Sequence, residues 1–362
     1  MQEFGEDLAQ LSRGPGGGLN RRQLLTLAAA TGIAHAVLSR QARAATPDVV
    51  LCNWGGDAIP AFSAAFADPY GRKTGGKMVL DGSGPTNGKM RAMVEARNVS
   101  WDICDSGVTG LAELVPRGLL TPIDYAVIDK SKVVDGFAYE YGICNYMFSS
   151  VQAWDTRKVQ GTPTLADFFD LKKIPGKRMI RKDSQAMIEM ALLADGVPPD
   201  KIYPMDVERA IRKFASIKDA LLLWDTGAQS QTLLRDGEVS MGWLWHTRAN
   251  LLKRDTSGRI DWTFKDGVLQ PGLWVVPKGN PAGAQAMVAI AAMQDPPGQV
   301  SLLGALGNGP ANPAASALVP NDLQPVNPSS AANAAVQVPI GYAWYKDNHS
   351  ATFRKFLDFL AA

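Results

Sequence analysis

The sequence predicts an α/β fold in two lobes, each a mainly parallel sheet flanked by helices, with strands crossing between them. Three observations carry this. Short apolar runs alternate with helix-spaced segments from Val49 to Ile123, a β-α-β-α-β order that builds a parallel sheet covered on both faces. A long strand-like stretch, Tyr139 to Gln152, then leads out of that unit. Finally, 362 residues suffice for about two domains.

Residues 1–44 read as an address rather than as part of the fold. Asn20-Arg21-Arg22-Gln23-Leu24-Leu25 opens a weakly apolar run to Leu38, and Ala42-Arg43-Ala44-Ala45 follows as a small-residue cleavage site. The adjacent Arg21 and Arg22 point to twin-arginine export, with cleavage after Ala44. The run is too short for a membrane anchor, and His35 interrupts it. No cysteine marks the junction for a lipid, so a freely soluble periplasmic product is expected. Beyond residue 44 the chain carries 32 basic and 32 acidic side chains. That neutral body argues against nucleic acid or an anionic membrane surface as partner.

The first strand, Val49 to Asn53, is a continuous apolar run that ends in Trp54-Gly55-Gly56-Asp57. Helical spacing follows through Ile59, Phe62, Phe66 and Tyr70. Lys77 to Leu80 is the second strand, and Trp101 to Asp105, closed by Ser106-Gly107, is the third. After the crossing at Tyr139–Gln152, strands are expected at Arg178–Ile180, Leu221–Trp224 and Val239–Leu244. Helices with Asp206 and Thr226 near their starts lie between them. Leu273 to Pro277 returns to the first lobe. Helices at Pro281–Met293 and Gln299–Leu306 come next, then an extended Pro/Asn/Ala-rich stretch, and Phe353 to Leu360 closes the chain.

Three cysteines, Cys52, Cys104 and Cys144, sit in apolar strand-like runs and fit no zinc spacing. Buried free thiols are expected, with a Cys52–Cys104 bridge left open should their strands be neighbours.

In open α/β sheets, ligands bind outside the carboxyl ends of strands. The residues there are Trp54 and Gly55, then Asp105 and Ser106, then Asp183 and Ser184, and finally Trp245 with Arg248. Trp274 sits at a crossing, and Tyr342 and Trp344 lie near the C-terminal tail. An indole presents a π-face to a cation, and arginine presents a planar fork to a carboxylate. Aromatics, acids and a guanidinium converging where two lobes face each other describe a small-molecule cleft. Signatures of catalysis are weak: there is no Gly-x-Ser-x-Gly and no His-Glu-x-x-His, and only His246 and His349 remain beyond residue 44. The loop Gly82-Ser83-Gly84-Pro85-Thr86-Asn87-Gly88 departs from a dinucleotide fingerprint in its last glycine and in Pro85. No cofactor and no metal is expected.

These motifs, in this order, resemble the periplasmic solute-binding proteins of ABC importers, specifically the spermidine/putrescine-type branch. The resemblance spans Asn53-Trp54-Gly55-Gly56, Trp101-Asp102-Ile103-Cys104-Asp105, Gly118 to Asp124, Pro175-Gly176-Lys177-Arg178, Glu189 to Gly196, Gly237-Glu238-Val239 and Trp274 to Gly279. It implies a periplasmic-binding-protein fold whose lobes close on the ligand like a hinge, a monomer, and a membrane permease as partner. It divides the chain into a first lobe at 45–147, a second at 148–270, a return to the first at 271–318, and a C-terminal segment at 319–362 packed on the second lobe. Trp54 matches the family's first-strand aromatic, and Asp183 falls where polyamine binders place an acid. Two further family acids are replaced by Ala186 and Gly272, which makes a long polycation a poor ligand, since each buried ammonium needs an acid. A smaller solute with one amine and one acid group is favoured instead, such as an amino acid or a γ-aminobutyrate-like compound. Its amine would lie near Asp105 or Asp183 against Trp54, and its carboxylate on Arg248. The competing reading is an exported hydrolase using Asp105 or Asp183 with His246.

Overall fold

The computed structural model describes residues 48–362, so the export segment expected over 1–44 lies outside the described residues. Strand β1 (Val49–Cys52) pairs in parallel with β2 (Met78–Asp81) and with β3 (Ile103–Ser106). Helix α1 (Ala58–Phe62) passes through a π-helical turn into α2 (Asp68–Thr74), and α3 (Asn87–Glu95) and α4 (Val108–Leu114) complete the first unit. Thr86 caps α3 by accepting from the Lys89 amide, which supplies a partner for one orphan donor of the first turn.

Short strands β4 (Leu120–Thr121) and β5 (Ala138–Tyr139) precede the first crossing strand, β6 (Gly142–Asp155). Beyond it, β7 (Arg178–Arg181), α5 (Met187–Ala194), α6 (Val207–Ala215), β8 (Leu221–Trp224), α7 (Gly227–Arg235), β9 (Met241–Trp245) and α8 (His246–Asp255) form the second unit. Asp206 and Thr226 cap α6 and α7 as their positions predict. β7 is parallel to both β8 and β9. Strand β9 runs into α8 without a loop, so Trp245 is at once the strand end and the helix N-cap.

The return strand is far longer than the expected Leu273–Pro277: β10 covers Ile260–Pro277. Its register with β6 shifts between Thr263 and Val268, where Asp266 takes a positive φ of 60°. Such a bulge bends a strand, and this is why Lys265-Asp266-Gly267 reads as a turn in sequence although the strand continues through it. β6 and β10 pair antiparallel along their lengths, giving the sheet order β2-β1-β3-β10-β6-β9-β7-β8. Pairing is therefore parallel inside each unit and antiparallel where the crossing strands join them.

Helices α9 (Gln285–Met293) and α10 (Pro296–Leu306) cover the first unit, and β11 (Gly309–Pro310) and β12 (Val338–Pro339) tack the extended stretch to β6 and β10. The closing helix α11 runs over Tyr342–Ala361, eleven residues earlier than expected. Its buried stripe is Tyr345, His349, Thr352 and Phe356, half of it polar, which hides the period from an apolar count. Tyr345 and Phe356 join the second unit's core, while the helix also runs along α4 of the first. Its packing is thus not confined to the second lobe.

Each unit has its own aromatic core. Phe62, Phe66, Tyr70 and Trp274 lie in the first; Phe168, Phe214 and Trp243, with Phe168 stacked 4.3 Å from Trp243, lie in the second. Cys52 and Cys104 are register partners on neighbouring strands, yet both are free thiols, as is Cys144.

Candidate functional site

A cavity of about 890 Å³ lies between the lobes, with walls from both. Its deep end is built by the loops at strand ends. After β1, the Asn53 side chain accepts from the Gly55 amide at 3.0 Å, and Gly55 and Gly56 follow with φ of 70° and 60°. A Cβ on Gly55 would lie 2.5 Å from the Gly82 carbonyl oxygen, so only glycine lets the loops after β1 and β2 pack this closely. That turn aims Trp54 into the cavity, 5.7 Å from the ring of Trp245 across the cleft. Trp245 in turn meets Trp224 edge-to-face at 5.2 Å.

Asp105 and Ser106 end β3 on the cavity wall. The Tyr146 hydroxyl donates to the Asp105 carboxyl, 2.7 Å from each oxygen. Burial pushes Asp105 up to about 7, against the pull of that hydrogen bond, so at neutral pH it carries only part of a charge. Tyr146 fits because the facing residue is Gly272, where a Cβ would fall 2.2 Å from the Tyr146 ring. The space facing the crossing at Gly272 is thus filled by a phenol.

From the second lobe, Asp183 accepts from the Gln185 amide at 3.0 Å and stands 3.4 Å from Arg181. Arg181 ends β7 and lies over three indoles, with Cζ 5.0 Å from the Trp245 ring, 5.5 Å from Trp54 and 5.9 Å from Trp224. Thr109 donates to Gln185 at 2.6 Å, and Gln185 and Gln270 continue a buried polar chain to Ser150. Arg248 also lines the cavity, but its Nη2 donates to the Gly55 carbonyl at 3.0 Å and its Nη1 is 3.5 Å from Asp57. Gln231 and Asp57 stand 3.4 Å apart beside it. At its outer end the cavity runs between α3, α4 and the face of α11 carrying His349, Phe353 and Arg354.

The structure thus brings Trp54, Asp105, Ser106, Asp183, Trp245 and Arg248 together around one cavity. Gly55 stands behind it and contributes its carbonyl to Arg248. Trp274 and Tyr342 do not reach the cavity, which corrects their expected place. β10 runs antiparallel to β3, so Leu273 pairs with Ser106 at the cavity end, and Trp274 is already one position further in, fully buried against Phe62 and Tyr146. Tyr342 packs on Tyr139, ring centroids 4.8 Å apart.

The hydrolase constellation is not assembled either. His246 is fully buried; its Nδ1 accepts from the Ser149 amide at 3.0 Å and its Nε2 bonds the Gly307 carbonyl at 2.8 Å. Burial pulls it down to about 4, and with both ring nitrogens engaged His246 offers no base to the cavity.

Sequence reasoning missed Tyr146, Arg181 and Gln185. Arg181 had a signal: it is the last residue of a strand whose following loop was already singled out. With it, the wall carries seven Lys or Arg residues against five acids, a balance that favours a ligand with at least one anionic group.

A model of the bacterial extracellular solute-binding protein family matches residues 65–337. The γ-aminobutyric acid-binding protein of Pseudomonas aeruginosa is 31% identical over 299 residues, which is 81% of this chain and 85% of that one. The periplasmic binding protein AgtB of A. tumefaciens R10, in complex with agropinic acid, matches at 29% identity and a TM-score of 0.82, covering 87% of this chain and 99% of that one. AttC of Agrobacterium tumefaciens C58, in an open unliganded conformation, is 26% identical over 86% of this chain and 99% of its own, with a TM-score of 0.61. The chain belongs to the bacterial extracellular solute-binding protein family.

Proposed function

We propose that this protein is the periplasmic substrate-binding component of an ABC importer, closing its lobes on a small solute that bears both an amine and an acid and handing it unchanged to a membrane permease. The observation that carries this reading is the composition of the cavity wall. Trp54, Asp105 and Ser106 come from one lobe and Arg181, Asp183 and Trp245 from the other, so a ligand completes the wall only when the lobes meet. Solutes of the γ-aminobutyrate or opine type suit it. A polyamine suits it less, because Asp105, Asp183 and Asp225, the acids at the strand ends, share the lining with Arg181, Lys182 and Arg248. A desolvated cation–π contact contributes about 0.5–2 kcal/mol, whereas micromolar binding needs about 8 kcal/mol. Charge pairing and closure supply the rest.

In this reading the lobes divide at 147/148 and 270/271, and those positions are cross-strand partners: Met147 pairs with Pro271 and Phe148 with Gln270. One hinge line then crosses both strands. Export follows the twin-arginine route through Arg21 and Arg22, and the mature protein acts as a monomer. Calorimetry on residues 45–362 with γ-aminobutyrate, amino acids, opines, putrescine and spermidine tests the reading, followed by recovery of the bound solute. Stoichiometric binding of an amine-bearing acid, recovered intact, is expected. Turnover of the solute, or tightest binding of spermidine, would overturn it.

A further inference from the structure

Two guanidiniums of the second lobe line the deep end of the cavity, and their N–H groups are engaged differently. Arg248, 4% exposed, crosses the cleft to the Gly55 carbonyl at 3.0 Å, with Gln231 and Asp57 each 3.5 Å from its Nη1. Its shaft is held by Gly227, where a Cβ would fall 2.5 Å from Nε. Arg181 is different. Among the described residues its guanidinium has no hydrogen-bond partner, only the ion pair with Asp183 at 3.4 Å, although its side chain is just 14% exposed. Its Cζ lies 5.0–5.9 Å from the ring centroids of Trp54, Trp224 and Trp245. With no hydrogen-bond acceptor among the described residues, its N–H donors are available to a bidentate acceptor.

We propose that Arg181 receives the acid group of the solute, and that Arg248, where the acid was expected, instead clasps the two lobes around it. The proposal rests on the reading of the cavity as a site for an acid-bearing solute. One of Arg248's donors is already given to the Gly55 carbonyl across the seam that encloses the ligand, and another to Gln231. Arg181 makes no such hydrogen bond among the described residues. Asp183, with one oxygen held by the Gln185 amide, keeps its other oxygen beside Arg181, where a ligand ammonium can meet it. Acid on Arg181 and amine toward Asp183 makes a closed ring of alternating charge over the indoles.

Butyrate, which has the acid and an alkyl chain but no amine, is the probe, titrated while tryptophan emission is followed. A saturable response is expected in the wild type. Arg181→Met should weaken it at least tenfold with the urea midpoint unchanged, and Arg181→Lys should fall between. Arg248→Met and Gly227→Ala should weaken it by factors within threefold of each other, because the second displaces the guanidinium without removing its charge. Both should raise the radius of gyration at butyrate saturation in small-angle scattering. The assignment fails if the wild type does not respond, or if Arg181→Met retains wild-type affinity. It also fails if Arg248→Met exceeds Gly227→Ala by tenfold, or if the clasp variants stay as compact as the wild type. If butyrate responds through Arg181 but no amine-bearing acid binds more tightly, the proposed solute class falls and the role of Arg181 stands.

Discussion

Strand β7 carries an arginine at each end, and the two ends do opposite things. Arg178, fully buried at the start, donates to the carbonyls of Phe168, Gly176 and Ile174 at 2.6–2.8 Å. Burial pulls it down to about 10, which leaves it protonated at neutral pH, and its fork is filled by the protein's own backbone. Arg181, three residues on, lies among three indoles, lines the cavity and has no hydrogen-bond acceptor among the described residues. Same strand and same residue type, yet one is a structural bolt and the other a receptor. What separates them is whether the donors already have acceptors, not how deeply the side chain is buried.

The largest expected effect breaks the comparison at its structural end. Arg178→Met leaves the buried carbonyls of Phe168 and Ile174 without their donor and should cost about 3–5 kcal/mol, read as a lowered urea midpoint. Arg181→Met orphans no carbonyl, and Asp183 keeps the Gln185 amide and partial solvent contact, so stability should stay within about 1 kcal/mol of wild type. If the two variants were equally destabilised, donor occupancy would not be what distinguishes the ends of β7.

That distinction marks the limit of what the sequence could tell. Strand ends are legible because apolar runs stop at Gly, Asp and Ser, and Trp54, Asp105, Ser106, Asp183, Trp245 and Arg248 all line one cavity. Direction across a strand pair is not legible without knowing the partner, so Trp274, adjacent to the crossing, ends up in the core. Nor does a sequence show that a carbonyl from Gly55 waits for Arg248. Nor does it show that the space facing Gly272 is filled by the phenol of Tyr146, far away in the chain.

A middle-sized effect tests that filling. Gly272→Ala places a methyl 2.2 Å from the Tyr146 ring position, and overpacking of this kind costs about 1–3 kcal/mol. Displaced Tyr146 no longer donates to Asp105, so the carboxyl should titrate above its wild-type value, measured by the pH dependence of ligand affinity. An unchanged profile would mean that Tyr146 does not set the state of Asp105.

The smallest effect repeats the comparison with acids. Asp105 at the cavity and Glu189 inside the second lobe are both pushed up to about 7 by burial, and each accepts from tyrosine hydroxyls, Tyr146 in one case and Tyr203 with Tyr345 in the other. Their ordinary values are 3.8 and 4.5, so between about pH 4 and 7 the folded state holds protons that the unfolded state has released. Each therefore makes stability fall as pH rises through that window. His246 works the other way: held at about 4 against 6.5, it makes stability rise with pH between those values. Asp105→Asn and Glu189→Gln should each remove one falling contribution from urea stability measured between pH 4 and 7. Only Asp105 faces the cavity, so only Asp105→Asn should also abolish the fraction of a proton released when an amine-bearing ligand binds near pH 6.5. Calorimetry in buffers of different ionisation enthalpy reads that release. Loss of the released proton in Glu189→Gln instead would show that the buried acid, not the one at the cavity wall, senses the ligand's charge.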